Sequence, residues 1–166
     1  MTYVKLSEKL YYGMHPSIIF PDIKGINNFI DLTEADEYGI HSFDLKKATY
    51  KRFQIKDHTA PSIKKLTEIY NYIKNLNGKV YISCKGGCGR SGVVAAIVYG
   101  KANNMSGTNA LNYINNEWHN QRWEQSEPLK RYSQDINFIR PQITQFRSPE
   151  TKMQKYIVKK FLDECF

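Results

Sequence analysis

The chain has 166 residues, a formal net charge of +8, and a composition that is 41% hydrophobic and 13% aromatic. That supports one packed domain over residues 1–166, and no apolar run approaches the ~20 residues of a membrane-spanning helix. Three cysteines without staple-like spacing argue against a secreted disulfide scaffold, and Met1-Thr2-Tyr3-Val4-Lys5 lacks the apolar region of a signal peptide, so a reducing, cytoplasmic setting is expected. The positive charge favours an anionic substrate or partner without choosing among anions.

Taken in order, residues 3–12 alternate loosely and predict an edge hairpin or strand, and 13–17 read as a turn. Ile26 to Leu32 predicts a buried strand, and 33–37 a short helix or turn. Tyr50 to Ile55 alternates around Phe53 and Ile55 and predicts another strand. A turn at 56–62 then leads into an amphipathic helix over about 62–76, with Ile63, Leu66, Ile69, Tyr70 and Ile73 on one face. Asn77-Gly78 stops it. Val80 to Cys84 is a short apolar strand, and a glycine-rich turn follows. The next helix is nearly all apolar for two turns, which places it centrally. Ser106 predicts the cap of a helix to about Trp118. Leu129 to Ile139 is a further helical segment. Ser148-Pro149-Glu150 predicts the start of a last helix running to about Leu162, with cap, proline at the first position and acid in the first turn. Strands alternating with helices predict an α/β three-layer sandwich, its central mostly parallel sheet flanked by helices.

The informative stretch is Cys84-Lys85-Gly86-Gly87-Cys88-Gly89-Arg90-Ser91-Gly92. A strand, a tight loop and a helix N-terminus together make an anion cradle, because the first-turn N–H groups have no intrahelical partners and the helix dipole is positive there. Glycines let the backbone curl inward. Cys84 at the strand end and Arg90 at the helix start bracket one closed loop. Inward N–H dipoles and a guanidinium favour a thiolate at Cys84, and the planar fork of Arg90 suits two phosphate oxygens.

Cys-x5-Arg-Ser in this setting resembles the signature loop of the protein tyrosine phosphatase superfamily, and Lys85-Gly86-Gly87 is similar to its compact dual-specificity branch. The resemblance covers residues 50–115 well. It implies that Cys84 is the nucleophile and that residues 85–91 (Lys85, Gly86, Gly87, Cys88, Gly89, Arg90 and Ser91) bind the phosphate. Asp57, in Phe53-Gln54-Ile55-Lys56-Asp57-His58-Thr59-Ala60-Pro61, resembles the family's general-acid loop. Ser91 would stabilise the thiolate as it leaves the phosphoenzyme. Ser148-Pro149-Glu150-Thr151-Lys152-Met153-Gln154 resembles the family segment that opens a late helix and presents a glutamine, so Gln154 is expected to position water. No metal and no cofactor are implied. The family's usual histidine before the nucleophile is Ser83 here, and Cys88 stands where many relatives have no thiol, so a reversible Cys84–Cys88 disulfide is a further expectation.

The implied activity is hydrolysis of phosphotyrosine, and of phosphoserine or phosphothreonine, on a protein substrate. One alternative keeps the chemistry and changes the substrate to a phosphoinositide or an RNA 5′ end. Another is a phosphate-binding pseudophosphatase. His15, His41, His58 and His119 are read as structural or solvent-facing, and Trp118, Arg122 and Trp123 as packing residues. The oligomeric state is left open by the sequence.

Overall fold

The computed structural model describes residues 3–18, 21–39, 47–124 and 147–165. Five strands form one sheet: β1 (Tyr3–Lys5), β2 (Leu10–Met14), β3 (Ile26–Asp31), β4 (Thr49–Arg52) and β5 (Lys79–Cys84), in the order β1-β2-β5-β3-β4. β1 pairs antiparallel with β2 as the expected edge hairpin. The other pairings are parallel, so the sheet is mostly parallel. β5 lies in the middle, as its run of Val80, Tyr81 and Ile82, buried on both faces, requires.

The described residues hold four helices: α1 (Ile63–Lys74), between β4 and β5, and, after β5, α2 (Arg90–Ala102), α3 (Gly107–Glu124) and α4 (Lys152–Glu164). Ser62 caps α1 by accepting from the Lys65 N–H, and Leu66, Ile69 and Ile73 bury its apolar stripe. α2 is buried along most of its length, from Arg90 through Ile97 and again at Gly100. All four helices contribute to one large core with Tyr12, Ile30, Val80 and Ile82. Side chains alternate across a strand, so the opposite face carries Tyr11, Phe29 and Tyr81 in a separate aromatic cluster with Ile26. Among the described residues the helices therefore cover one face, and the layer expected on the other is represented by that cluster. No described helix is long and apolar enough to cross a membrane.

Several boundaries differ from the sequence reading. Gly13 and Met14, read as turn, continue β2 because they pair with Ser83 and Cys84. β4 ends at Arg52, but Phe53 and Ile55 stay extended, donating to the carbonyls of Asp31 and Leu32. Residues 35–37 form a turn closed by the Glu37 N–H on the Glu34 carbonyl. α3 starts at the Ser106 cap but runs on to Glu124. α4 does not start at Ser148-Pro149-Glu150. Its cap is Thr151, in a capping box with Gln154. The Ser148 hydroxyl is engaged elsewhere, on the Cys88 carbonyl at 2.8 Å and with the Tyr12 hydroxyl at 3.0 Å. The helical segment read at 129–139 lies outside the described residues.

Among the described residues, the outer edge of β1 is met by a side chain. Gln121 of α3 accepts from the Lys5 N–H at 2.7 Å and donates to the Lys5 carbonyl at 2.8 Å, pairing with that peptide on both sides.

Candidate active site

The carboxyl ends of β2, β3 and β5 meet at one end of the sheet, with Met14 opposite Cys84 and Asp31 opposite Ser83. The loop 85–89 leaves β5 there and enters α2. Its tight path depends on Gly87, which has φ +69° and lies against the end of β2. A Cβ there would sit 2.4 Å from Gly13 C and Met14 N. Gly89 caps α2 without any side-chain hydrogen bond, so the first-turn N–H groups have neither intrahelical nor side-chain capping partners.

Cys84 is buried, and its Sγ lies 3.2 Å from Ser91 Oγ. Arg90 is 1% exposed. Its Nη1 donates to Glu37 Oε2 at 2.7 Å and to the Ile55 carbonyl at 2.9 Å. Its Nη2 donates to Glu37 Oε1 at 2.9 Å and lies 3.2 Å from Asp57 Oδ1. Burial alone would weaken the arginine's charge. The hydrogen bond to Glu37 and the charges of Cys84 and Asp57 outweigh it and hold its pKa above the ordinary value. That same hydrogen bond, against a smaller opposing effect of burial, keeps the Glu37 carboxyl below the usual carboxylate range. Arg90 Nε is buried with no hydrogen-bond partner among the described residues. An orphaned guanidinium N–H beside an uncapped helix terminus is what an anion site looks like before its anion arrives.

The structure thus brings Asp57 against Arg90, and Cys84 against Ser91. Lys85 and Gly86 are exposed at the loop's outer edge, Cys88 is half-buried, and no disulfide joins Cys84, Cys88 and Cys165. Gln154 is fully buried. Its Oε1 accepts from the N–H groups of Glu150 and Thr151, both at 3.0 Å, and its Nε2 donates to the Thr59 carbonyl at 3.1 Å. It therefore ties the start of α4 to the Asp57 loop. His58 adjoins the same loop with φ 58°. Its ring approaches Glu150 at 3.4 Å and Asp57 at 3.6 Å, and it is 68% exposed.

Sequence reasoning missed two things. Glu37 falls in a segment read only as a short helix or turn, yet it grips Arg90 with both carboxylate oxygens. The second is a buried network beside the loop. Asp31 Oδ1 accepts from the Thr33 hydroxyl at 2.6 Å, and Oδ2 from the Tyr50 hydroxyl at 2.6 Å and from Arg52 at 3.0 Å. His15, 0% exposed, places Nε2 3.4 Å from the same oxygen while its Nδ1 accepts from the Ser17 N–H, which fixes the tautomer with Nε2 donating. Burial would raise the Asp31 pKa, but the hydrogen bonds from His15, Thr33 and Tyr50 hold it well below the carboxylate range. Burial and the bond to Asp31 push the Tyr50 phenol up. His15 stacks on Tyr38 at 4.4 Å, and Arg52 donates to the Tyr38 carbonyl, so the network braces the segment that carries Glu37. Ser83 is buried with its hydroxyl donating to the Ile30 carbonyl at 3.4 Å, directed at β3. The buried histidine beside the loop is His15, just past the end of β2, and its ring meets Asp31.

A mostly parallel sheet with this strand–loop–helix at its carboxyl end defines a cysteine-phosphatase fold. Residues 18–101, just over half of the chain, match the family model described as polymorphic toxin system, DSP-PTPase phosphatase, and the chain belongs to that family. It is 32% identical over 100 residues to a putative tyrosine phosphatase, 197R, of Invertebrate iridescent virus 6, covering 54% of this chain and 38% of the relative. It is 27% identical over 141 residues to putative tyrosine phosphatase 067L of Invertebrate iridescent virus 3, covering 75% of this chain and 58% of that one. The chain thus spans well under two thirds of either relative. The fold is similar to that of Tk-PTP in its active form, with a TM-score of 0.69, 19% identity, and 98% and 97% of the two chains covered. It is also similar to PTPMT1 solved in complex with PI(5)P, with a TM-score of 0.66, 16% identity, and 99% and 97% covered.

Proposed function

We propose that this chain is a cysteine-dependent phosphatase that hydrolyses phosphate monoesters on proteins, phosphotyrosine first and phosphoserine or phosphothreonine with it. The observation that carries this reading is the convergence of four side chains from three segments at one loop: Cys84 on Ser91 at 3.2 Å, and Arg90 on Asp57 at 3.2 Å. Cys84 attacks phosphorus in line while Asp57 protonates the leaving oxygen. Arg90 and the N–H groups of residues 85–91 hold the equatorial oxygens through both displacements. The phosphocysteine is hydrolysed by water that Asp57 deprotonates, with the Ser91 hydroxyl stabilising the departing thiolate. Gln154 serves that second step by holding the Asp57 loop against α4, and through it the water's position. The reaction as drawn uses no metal or cofactor, and the free thiol it needs suits a reducing, cytoplasmic setting.

Cys84→Ser should abolish turnover of an aryl phosphate while retaining binding of a phosphotyrosine peptide. Asp57→Asn should lower kcat by ~10²-fold or more for alkyl-like leaving groups, and less for nitrophenolate, which needs little protonation. Turnover surviving in Cys84→Ser would end this reading. Binding without turnover in the wild type would favour the pseudophosphatase.

The phosphoinositide alternative draws on the neighbour solved with PI(5)P and on the net charge of +8. A substrate panel of phosphopeptides, inositol lipids and triphosphate-ended RNA separates the protein, lipid and RNA readings by relative kcat/KM.

A further inference from the structure

Residues of α3 and α4 line a cleft of about 230 Å³. Asn112 and Asn115 line it from α3, Lys155 and Lys159 from α4, with Arg147 at its edge and Ser148 in its wall. Lys155 and Lys159 are four residues apart, on one helix face, an arrangement that like charges destabilise. Arg147 adds a third positive charge. Among the described residues no carboxylate lines the cleft, and none of the three cations enters an ion pair. Burial and, after it, the charge of Arg147 push the Lys155 ammonium below its ordinary value, and the same two causes lower His119.

We infer that this cleft is a second anion site, separate from the signature loop, that takes a phosphate dianion, free or borne on an inositol headgroup. A guanidinium fork, two ammonium groups and two carboxamides offer donors from several directions, which suits a tetrahedral dianion better than a planar carboxylate. An anion there compensates three cations that the fold otherwise crowds together. No aromatic ring lines the cleft among the described residues, so it offers no stacking platform for nucleic-acid bases. The cleft also touches the loop. The Ser148 N–H donates to Asn115 Oδ1 at 3.3 Å, and its hydroxyl donates to the Cys88 carbonyl at 2.8 Å. Gly92 leaves room for that hydroxyl, since a Cβ there would lie 2.3 Å from it. An occupant beside Asn115 and Arg147 thus sits one residue from the backbone of the phosphate loop.

The test titrates inorganic phosphate into the full chain at constant ionic strength, with chloride as the control, and follows backbone amide resonances. Saturable shifts are expected at Asn112, Asn115 and Lys155, with a dissociation constant of their own, whatever happens at residues 85–91. Failure at the loop therefore bears on the phosphatase reading, and failure at the cleft on this one. The triple variant R147Q/K155Q/K159Q should weaken the cleft affinity at least tenfold and, without phosphate, should melt no lower than the wild type because crowded charge is removed. Should it not fold, Arg147→Gln alone is read at the same amides. Binding of phosphatidylcholine vesicles doped with phosphatidylinositol phosphate, lost in the variant, would assign the dianion to a lipid headgroup; phosphate binding without vesicle binding would assign it to a soluble source. No shifts at the cleft, shifts matched by chloride, shifts unchanged in the variant, or vesicle binding without phosphate binding would each overturn the site.

Discussion

Arg90 carries its charge where it is 1% exposed, and Glu37 makes this tenable by accepting from both terminal nitrogens. A buried guanidinium needs its donors satisfied and its plane fixed if it is to meet phosphate oxygens on arrival. Glu37→Gln keeps the shape and removes the charge. It should cost roughly 1.5–3 kcal/mol of stability, the range for hydrogen bonds to charged groups, read from urea midpoints, and should lower kcat/KM on an aryl phosphate. Asp31 acts at one remove, through His15, Tyr38 and Arg52. Its carboxyl is held below the ordinary range in the folded chain, so its contribution to stability is present in full above the unfolded value of about 3.9 and is lost as pH falls through the folded value. Asp31→Asn should be about 3 kcal/mol less stable at pH 7, as when one partner of a buried pair is removed, with a flatter loss of stability below pH 4 in denaturant titrations.

At the scale of elements, the strand–loop–helix was legible because its chemistry is contiguous: Cys84, the glycines and Arg90 lie within seven residues, bounded by apolar runs on both sides. Asp57 was picked out by resemblance to a general-acid loop, a strand before it and Pro61 after it, and the structure places it 3.2 Å from Arg90. Glu37 was not, because its partner is 53 residues away and nothing in a short acidic turn points to it. His15 and Asp31 were hidden for a related reason, since their meeting depends on β2 and β3 both flanking β5. The sequence pattern Ser-Pro-Glu placed the start of α4 three residues early: Ser148 is taken up by long-range bonds to Cys88 and Tyr12, and Thr151 caps the helix instead. The loop's own shape yields a sharp comparison. Gly87→Ala puts a Cβ into a left-handed backbone and against the end of β2, and should cut kcat/KM on an aryl phosphate by ~100-fold or more. Gly86→Ala meets just Cys88 Sγ at 3.8 Å, an ordinary contact, and should fold with near wild-type stability.

For the whole molecule, the sheet gathers three strand ends at one rim and the helices close over one face, so the site is fixed by the most buried part of the chain. The expected parallel sheet follows from alternating strands and helices, but which face the helices take does not, because Tyr11, Phe29 and Tyr81 are large, ring-bearing residues buried about as fully as those facing the helices. The charge of +8 acts at this scale too. For a multiply anionic phosphopeptide, KM should rise as salt is raised from low to about 0.15 M, where the screening length is about 8 Å, while kcat changes little.

At the far side of the sheet, the carboxamide of Gln121 stands in for a neighbouring strand at Lys5. An unsheltered outer ribbon invites a copy of itself to zip alongside. Gln121→Ala should therefore leave catalysis intact and shift the elution profile toward larger species with rising concentration, because the Lys5 peptide loses both bonds that occupy it.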